Sequence, residues 1–307
     1  MTNPRPHFSS YNPQLQVVWD STSLTLLKEC PRKYYFQQIL MYRPKADALP
    51  LSFGIAYHAG LEEYDRALAA GLTSRLATHA AIRRALTLAQ PTIVSRSDDN
   101  RRTLVTLVRS IIWYLEEFNP DPFRTLLLAN GKPAVELSFK LQLDGTTSPD
   151  GDPYLLAGHL DRVVDFNGVW VTDRKTTTMS LGTSYFAQFM PNNQMSLYDF
   201  AGRSILVEEI QGVIVDAAQL LVGSTRFQRE QVPTRQELSA EWLESTLETI
   251  SLAERWAESH RWPINDTACN KYNGCPFREI CSKHPAMRQM YFDANFVQQD
   301  WNPLEER

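Results

Sequence analysis

The sequence has no run of eighteen apolar residues, no leader pattern of the exported kind, no low-complexity tract and no internal repeat. A membrane-spanning helix, an exported precursor and a repeat array are therefore not expected, and a soluble chain of cytoplasmic location is. A basic excess is also missing, since 31 Lys and Arg face 35 Asp and Glu for a formal net charge of -4. That balance argues against a protein that coats nucleic acid by bulk electrostatics. It leaves room for local contacts to phosphates, because Arg32-Lys33, Arg83-Arg84, Arg101-Arg102 and Arg226 with Arg229 form short basic clusters. A groove needs only a few such groups, although each cluster also reads as a solvated helix face. Cysteine is scarce, with four residues, Cys30, Cys269, Cys275 and Cys281. Without an export pattern, disulfides are not expected and metal ligation becomes the leading explanation.

No linker divides the 307 residues; the longest polar, turn-rich segment, 144–152, lies between strand-like runs and reads as a hairpin loop. One domain is expected, with a mainly helical layer over 1–130, a sheet core over 131–234, and a C-terminal helix and cysteine segment over 235–307. Pro4, Pro6 and Pro13 make the first twenty residues an irregular arm. Ser21 or Ser23 is placed to cap a helix over 21–40 that Cys30-Pro31 interrupts. Helical spacing predicts further helices over 52–70, 73–90 and 99–118. The period then changes to two, with Val135, Leu137, Phe139, Leu141 and Leu143 on one face of a strand. Strands over 210–221 and 225–232, a helix over 184–206 broken at Pro191, and a long helix over 235–260 complete the pattern. Helices, strands, a helix, more strands and a final helix imply an α/β (α+β) fold with a central mixed sheet flanked by helices.

The organising stretch is 158–176, which reads as two strands around an Asn167-Gly168 turn. Asp161 lies near the start of the first strand, and Asp173 and Lys175 lie at the end of the second. A carboxylate pair with a lysine can hold a divalent cation against a phosphate and direct a water at it. The turn decides whether the carboxylates meet. A two-residue turn pairs Phe166 with Val169 and sends Asp161 and Asp173 to opposite faces. A three-residue loop with Gly168 left-handed pairs Asp165 with Val169, Val163 with Val171 and Asp161 with Asp173, and this second register is the one expected. The same carboxylates also read as strand-end partners of solvated Arg162, Arg174 or Lys175. His58, four residues before Glu62 on one helix face, is a possible third ligand or a structural histidine. Glu136 is a further acidic candidate or part of an exposed strand face. Gln194 and Tyr198, four apart, are placed to contact a phosphate or Lys175, as ordinary amphipathic patterning also allows.

Five residues separate Cys269 from Cys275 and Cys275 from Cys281, while Cys30 lies far upstream. Compact zinc ribbons show two close Cys-x-x-Cys pairs, and this chain has none. A four-thiolate group here would close a loop of more than two hundred residues, a crosslink of about 4 kcal/mol in a chain-entropy treatment. Four reduced, buried cysteines are the alternative.

Taken in order, Ser23-Leu24 through Cys30-Pro31-Arg32-Lys33-Tyr34, the segment from Gly54 to Glu62 with His58, Gly158-His159-Leu160-Asp161-Arg162, Asp173-Arg174-Lys175, Gln194 with Tyr198, and Cys269 to Cys281 resemble the RecB-like branch of the PD-(D/E)XK nuclease superfamily. The likeness is to its iron-sulfur exonucleases, which include CRISPR-associated and phage members, and it covers most of the chain. The resemblance implies that His58, Asp161, Asp173 and the main-chain carbonyl of Arg174 ligate Mg2+ or Mn2+, with Lys175 orienting or activating the attacking water. It implies that Gln194 and Tyr198 support the lysine or bind substrate. It also favours a [4Fe-4S] cluster on Cys30, Cys269, Cys275 and Cys281. Asp173 stands where many relatives carry glutamate. The expectation is a metal-dependent DNA exonuclease acting on single strands or ends in recombination, repair or phage DNA processing, with recombination, repair or CRISPR-type protein partners. A non-catalytic iron-sulfur DNA-binding or assembly subunit is the alternative.

Overall fold

The computed structural model describes residues 5–45, 49–93, 99–232 and 234–305; Pro4 of the expected arm lies outside them. In chain order the elements are β1 (Val18–Trp19), α1 (Ser21–Glu29), α2 (Pro31–Tyr34), β2 (Tyr42–Pro44), α3 (Leu49–Ala69), α4 (Ser74–Ile93), α5 (Leu104–Glu117), β3 (Arg124–Thr125), β4 (Val135–Gln142), β5 (Leu155–Asp165), β6 (Val169–Thr177), α6 (Thr183–Phe186), α7 (Asn193–Ile205), β7 (Ile210–Leu220), β8 (Thr225–Val232), α8 (Gln236–Ser259), α9 (Arg278–Ser282), α10 (Arg288–Asn295) and β9 (Phe296–Gln298). The architecture is the expected mixed sheet flanked by helices. No helix among the described residues is long and apolar enough to cross a membrane.

Local chemistry sets several boundaries differently from the sequence expectation. Asp20, not Ser21 or Ser23, caps α1; its carboxylate accepts from the Ser23 amide at 2.8 Å while Ser23 Oγ accepts from the Asp20 amide at 3.1 Å. Residues 99–103 are not helical, because Asp99 accepts from the Arg101 amide in a turn, and α5 starts after its cap, Thr103.

The chain divides into two compact units. One comprises Asp47–Leu137 and His159–Gln236. Here β5 and β6 pair antiparallel as Asp165 with Val169, Val164 with Trp170, Val163 with Val171 and Arg162 with Thr172, the expected register. The loop has three residues, with the Phe166 amide donating to the Gly168 carbonyl at 2.8 Å. Both turn residues take positive φ, 51° at Asn167 and 129° at Gly168, so the left-handed step is shared with an asparagine, which tolerates it. β6 then runs parallel to β7, and β7 antiparallel to β8.

Alternation along β6 separates two faces. On the front, α7 presses against Val171 so closely that a Cβ on Gly202 would lie 3.1 Å from Val171 Cγ2 and 2.8 Å from Ile210 Cδ1. Asp173 and Lys175 share the parity of Val171 and face the same way. On the back, a Cβ on Gly54 of α3 would lie 3.5 Å from Thr176 Oγ1. There Phe53, Tyr57 and Leu61 of α3 join Leu107 and Ile111 of α5 in a core with Ala218 and Leu220 of β7.

The other unit comprises Met1–Ala46, Ser138–Gly158 and Glu237–Arg307. The α1–α2 bend meets the C-terminal segment through Arg32, whose amide donates to the Pro263 carbonyl at 2.9 Å and whose Nε donates to the Trp262 carbonyl at 2.7 Å. Phe36, Tyr42, Phe277, Phe292 and Phe296 form an aromatic core, with Tyr42 stacked on Phe292 at 4.0 Å and β2 paired to β9.

Candidate active site

The front of the β5–β6 hairpin gathers the six side chains singled out as catalytic candidates. Asn192 caps α7 by accepting from the Gln194 and Met195 amides at 2.9 and 3.3 Å, which fixes the turn that carries Gln194. Tyr198 follows one turn later and packs inward. From there the contacts are continuous. Lys175 Nζ donates to Gln194 Oε1 at 2.9 Å, Gln194 Nε2 donates to the Tyr198 hydroxyl at 3.0 Å, and that hydroxyl donates to Asp161 Oδ1 at 3.2 Å. Asp161 Oδ2 accepts from the Arg174 amide at 3.1 Å and lies 3.5 Å from His58 Nδ1.

Asp173 is fully buried. Lys175 Nζ donates to its Oδ1 at 2.9 Å and approaches Oδ2 at 2.7 Å; the second contact is ionic only, so Oδ2 accepts no aligned hydrogen bond. Burial pushes the Asp173 carboxyl up to about 7, with Lys175 opposing and the Asp161 charge adding to the rise. Burial likewise lowers His58 to about 4 despite the Asp161 charge, so its imidazole is neutral near pH 7. Burial raises the Tyr198 hydroxyl well above its ordinary range, keeping it a donor. Glu136, half-buried at a φ of 48°, stands near enough to add to that shift.

Among the described residues no three His, Cys, Asp or Glu side chains form a ready metal-binding group. The donor set nevertheless fits a hard divalent cation. Mg2+ takes one or two carboxylates and retains several waters, and the buried Asp173 oxygen without a hydrogen bond beside the Asp161 carboxylate offers that chemistry.

A set of residues not anticipated from the sequence lies behind this site. Asp65 of α3 pairs with Arg174 at 2.7 Å and with Arg162 at 3.4 Å. Arg229 pairs with Asp121 at 2.7 Å and with Asp216 at 3.2 Å, and Tyr114 donates to Asp216. Arg162 and Arg174 are therefore buried rather than solvated, which corrects the reading of them as exposed strand-end partners. The sequence carried no local signal for Asp65, which follows Glu62 and Glu63 on the same helix.

In the other unit the four cysteines are free thiols, and among the described residues they do not form a ready metal-binding group. Cys30 is buried at the α1–α2 bend, where its Sγ accepts from the Asn265 amide at 3.4 Å. The Cys275 amide donates to the Cys269 carbonyl at 2.9 Å. Burial raises the Cys275 thiol, as do Cys269 and Cys30, against a main-chain hydrogen bond at Phe277 and the charge of Lys33. Burial raises Cys281 too, with Cys275 and Cys30 adding and Arg32 and Arg288 opposing.

A family model described as the PD-(D/E)XK nuclease superfamily matches residues 21–282. The chain belongs to that superfamily. Members of the PD-(D/E)XK superfamily are generally nucleases, and the (D/E)XK of the name is met here by Asp173-Arg174-Lys175. The solved structure described as "Crystal structure of SSO0001" is similar at 12% identity and a TM-score of 0.34, covering 77% of this chain and 76% of that one. No curated protein matches the chain.

Proposed function

We propose that this PD-(D/E)XK chain is a Mg2+- or Mn2+-dependent deoxyribonuclease, an exonuclease that hydrolyses phosphodiester bonds on single strands or DNA ends in recombination, repair or phage DNA processing within the cytoplasm. The observation that carries the reading is the position of Lys175, whose ammonium bridges Asp173 and Gln194 on the face shared with Asp161. Asp161, Asp173, the Arg174 main-chain carbonyl and neutral His58 would hold the ion. Once bound, it would polarise the phosphate and lower the pKa of a bound water. The chain supplies the rest. Gln194 and Tyr198 aim the ammonium and orient Asp161, so that Lys175 directs the attacking water and offsets charge that develops on the phosphate. Asp173 would hold the cation in its ionised form, the form that the Lys175 ammonium beside it favours.

The same reading assigns Cys30, Cys269, Cys275 and Cys281 to a [4Fe-4S] cluster with a structural role. The hydrogen bonds at Arg32, Asn265 and Cys30 support it, since they already join the two segments that the cluster would tie.

End-labelled single- and double-stranded oligonucleotides, incubated with Mg2+ or Mn2+, test the catalytic reading. Wild type is expected to release short products from an end, and Asp161→Ala and Lys175→Ala to release none. Retained cleavage in both variants defeats the site assignment. An anaerobic preparation that is colourless and carries zinc without iron defeats the cluster assignment.

A further inference from the structure

Asp161 and Asp173 are each followed in the chain by an arginine, and both arginines end on one carboxylate. Arg162 Nη2 lies 3.4 Å from Asp65 Oδ1, and Arg174 Nη2 donates to Asp65 Oδ2 at 2.7 Å. The Thr125 hydroxyl closes the group by donating to Asp65 Oδ1 at 3.2 Å and accepting from Arg162 Nε at 2.9 Å. The three charged side chains are only 4–6% exposed. Burial would raise the Asp65 carboxyl, but the two guanidinium groups outweigh it and hold it below the usual carboxylate range.

The backbone makes this clamp consequential. The β5–β6 ladder ends at the Arg162–Thr172 pair, one residue short of the two carboxylates. Neighbouring residues of a strand point to opposite faces, so fixing the arginines behind the sheet fixes the aspartates in front. Asp65 also rides on α3, the helix that carries His58. That helix therefore holds the Arg174 side chain through Asp65 while it brings His58 to within 3.5 Å of Asp161. A buried ion group of this kind adds little net stability compared with apolar packing, which favours placement as its use.

We propose that Asp65 is a positioning residue for the candidate nuclease centre: by joining Arg162 to Arg174 behind the sheet, it sets the separation of Asp161 and Asp173 and the approach of His58. The assignment rests on the reading that these groups hold a divalent cation.

Calorimetric Mn2+ titration of the 307-residue chain, with steady-state cleavage of a single-stranded oligonucleotide, tests it on wild type, Asp65→Asn, Thr125→Val and Leu107→Ala. Leu107 lies in the core of the same unit and controls for lost stability. Asp65→Asn is expected to raise the Mn2+ dissociation constant and lower kcat, each by about tenfold or more, with KM for DNA unchanged. Thr125→Val should move the Mn2+ constant in the same direction by about threefold, a lesser loss of outer-shell support. Leu107→Ala should lower Tm and leave the Mn2+ constant alone. An unmoved Mn2+ constant in Asp65→Asn overturns the proposal, as does an equal shift in Leu107→Ala; if Asp65→Asn does not fold, the Thr125→Val result decides. The nuclease reading fails separately, by a wild type that binds Mn2+ and cuts nothing or by an Asp161→Ala variant that still cuts.

Discussion

On the face of β5 and β6 that meets α7, Asp161 and Asp173 stand against one cation among the described residues, Lys175, because burial keeps His58 neutral. On the opposite face three carboxylates, Asp65, Asp121 and Asp216, meet three guanidinium groups, Arg162, Arg174 and Arg229. The back is balanced in charge; the front is one positive charge short. Both faces are built from the same strands at alternating positions, so the difference lies in which partners the helices bring. α3 and α5 bring Asp65 and Tyr114 to complete the back, whereas α7 brings only neutral groups, Gln194 and Tyr198, to the front. A shortfall of positive charge beside a buried carboxylate is the electrostatic condition for recruiting a cation.

The strongest way to break this contrast is to remove the front cation, Lys175. Lys175→Met keeps the side-chain stem and deletes the ammonium, and should cut kcat by about 10³-fold, roughly 4 kcal/mol of barrier, while Tm stays near wild type. A large Tm loss without a loss of kcat would show Lys175 to be structural. The matching change behind the sheet is Asp216→Asn, which leaves Arg229 with Asp121 and weakens the acceptor for Tyr114. Breaking such a buried pair should lower unfolding stability by about 3 kcal/mol in urea titration, with kcat per folded molecule essentially unchanged. If kcat falls instead, Asp216 also bears on the front and is not, unlike the positioning residue Asp65, a stability group alone.

The front was largely legible in the sequence because its residues sit on a hairpin whose phase can be counted. Val163 and Val171 must share a buried face, and only a three-residue loop lets them, which brings Asp161 and Asp173 along. The back was not legible. Asp65 follows Glu62 and Glu63 on a helix, and local composition gives no reason to bury the third carboxylate rather than the first two. Its partners, Arg162 and Arg174, lie about a hundred residues away, and nothing short of the tertiary contact distinguishes a solvated arginine from a buried one. Arg229 misled in the same way: read with Arg226 as a local basic cluster, it instead stacks over Phe118 at 3.5 Å and Phe123 at 4.1 Å within the ion group.

The turn itself can be tested. Gly168 sits at a φ of 129°, and a Cβ there would meet Gln211 Cγ at 2.8 Å. Gly168→Ala should therefore cost about 2 kcal/mol of stability, measurable by urea titration. A variant as stable as wild type would mean that the turn does not enforce the register that separates the two faces.

Acid response sharpens the comparison further, since the two buried aspartates shift in opposite directions. Asp65, held down by arginines, contributes stability above its unfolded pKa of 3.8 and loses it only as pH falls below that value. Asp173 behaves oppositely, because burial raises it from 3.8 to about 7. Below 3.8 it is protonated in both folded and unfolded chains. Between 3.8 and about 7 the unfolded chain ionises while the folded one keeps its proton, so the metal-free fold loses about 1.4 kcal/mol per pH unit from this group. Above about 7 both forms are ionised and the loss stops. His58 and His7, both lowered to about 4, tilt stability the other way over much of this range. The useful measurement is therefore the difference between wild type and Asp173→Asn, in which their contributions are shared. Without divalent cation, Asp173→Asn should gain on wild type as pH rises to about 7 and then level off, and Mg2+ at pH 8 should narrow the gap by binding only wild type. A difference that stays flat with pH would mean that Asp173 ionises as freely as a solvated carboxylate, and the front face would carry no unmet demand for positive charge.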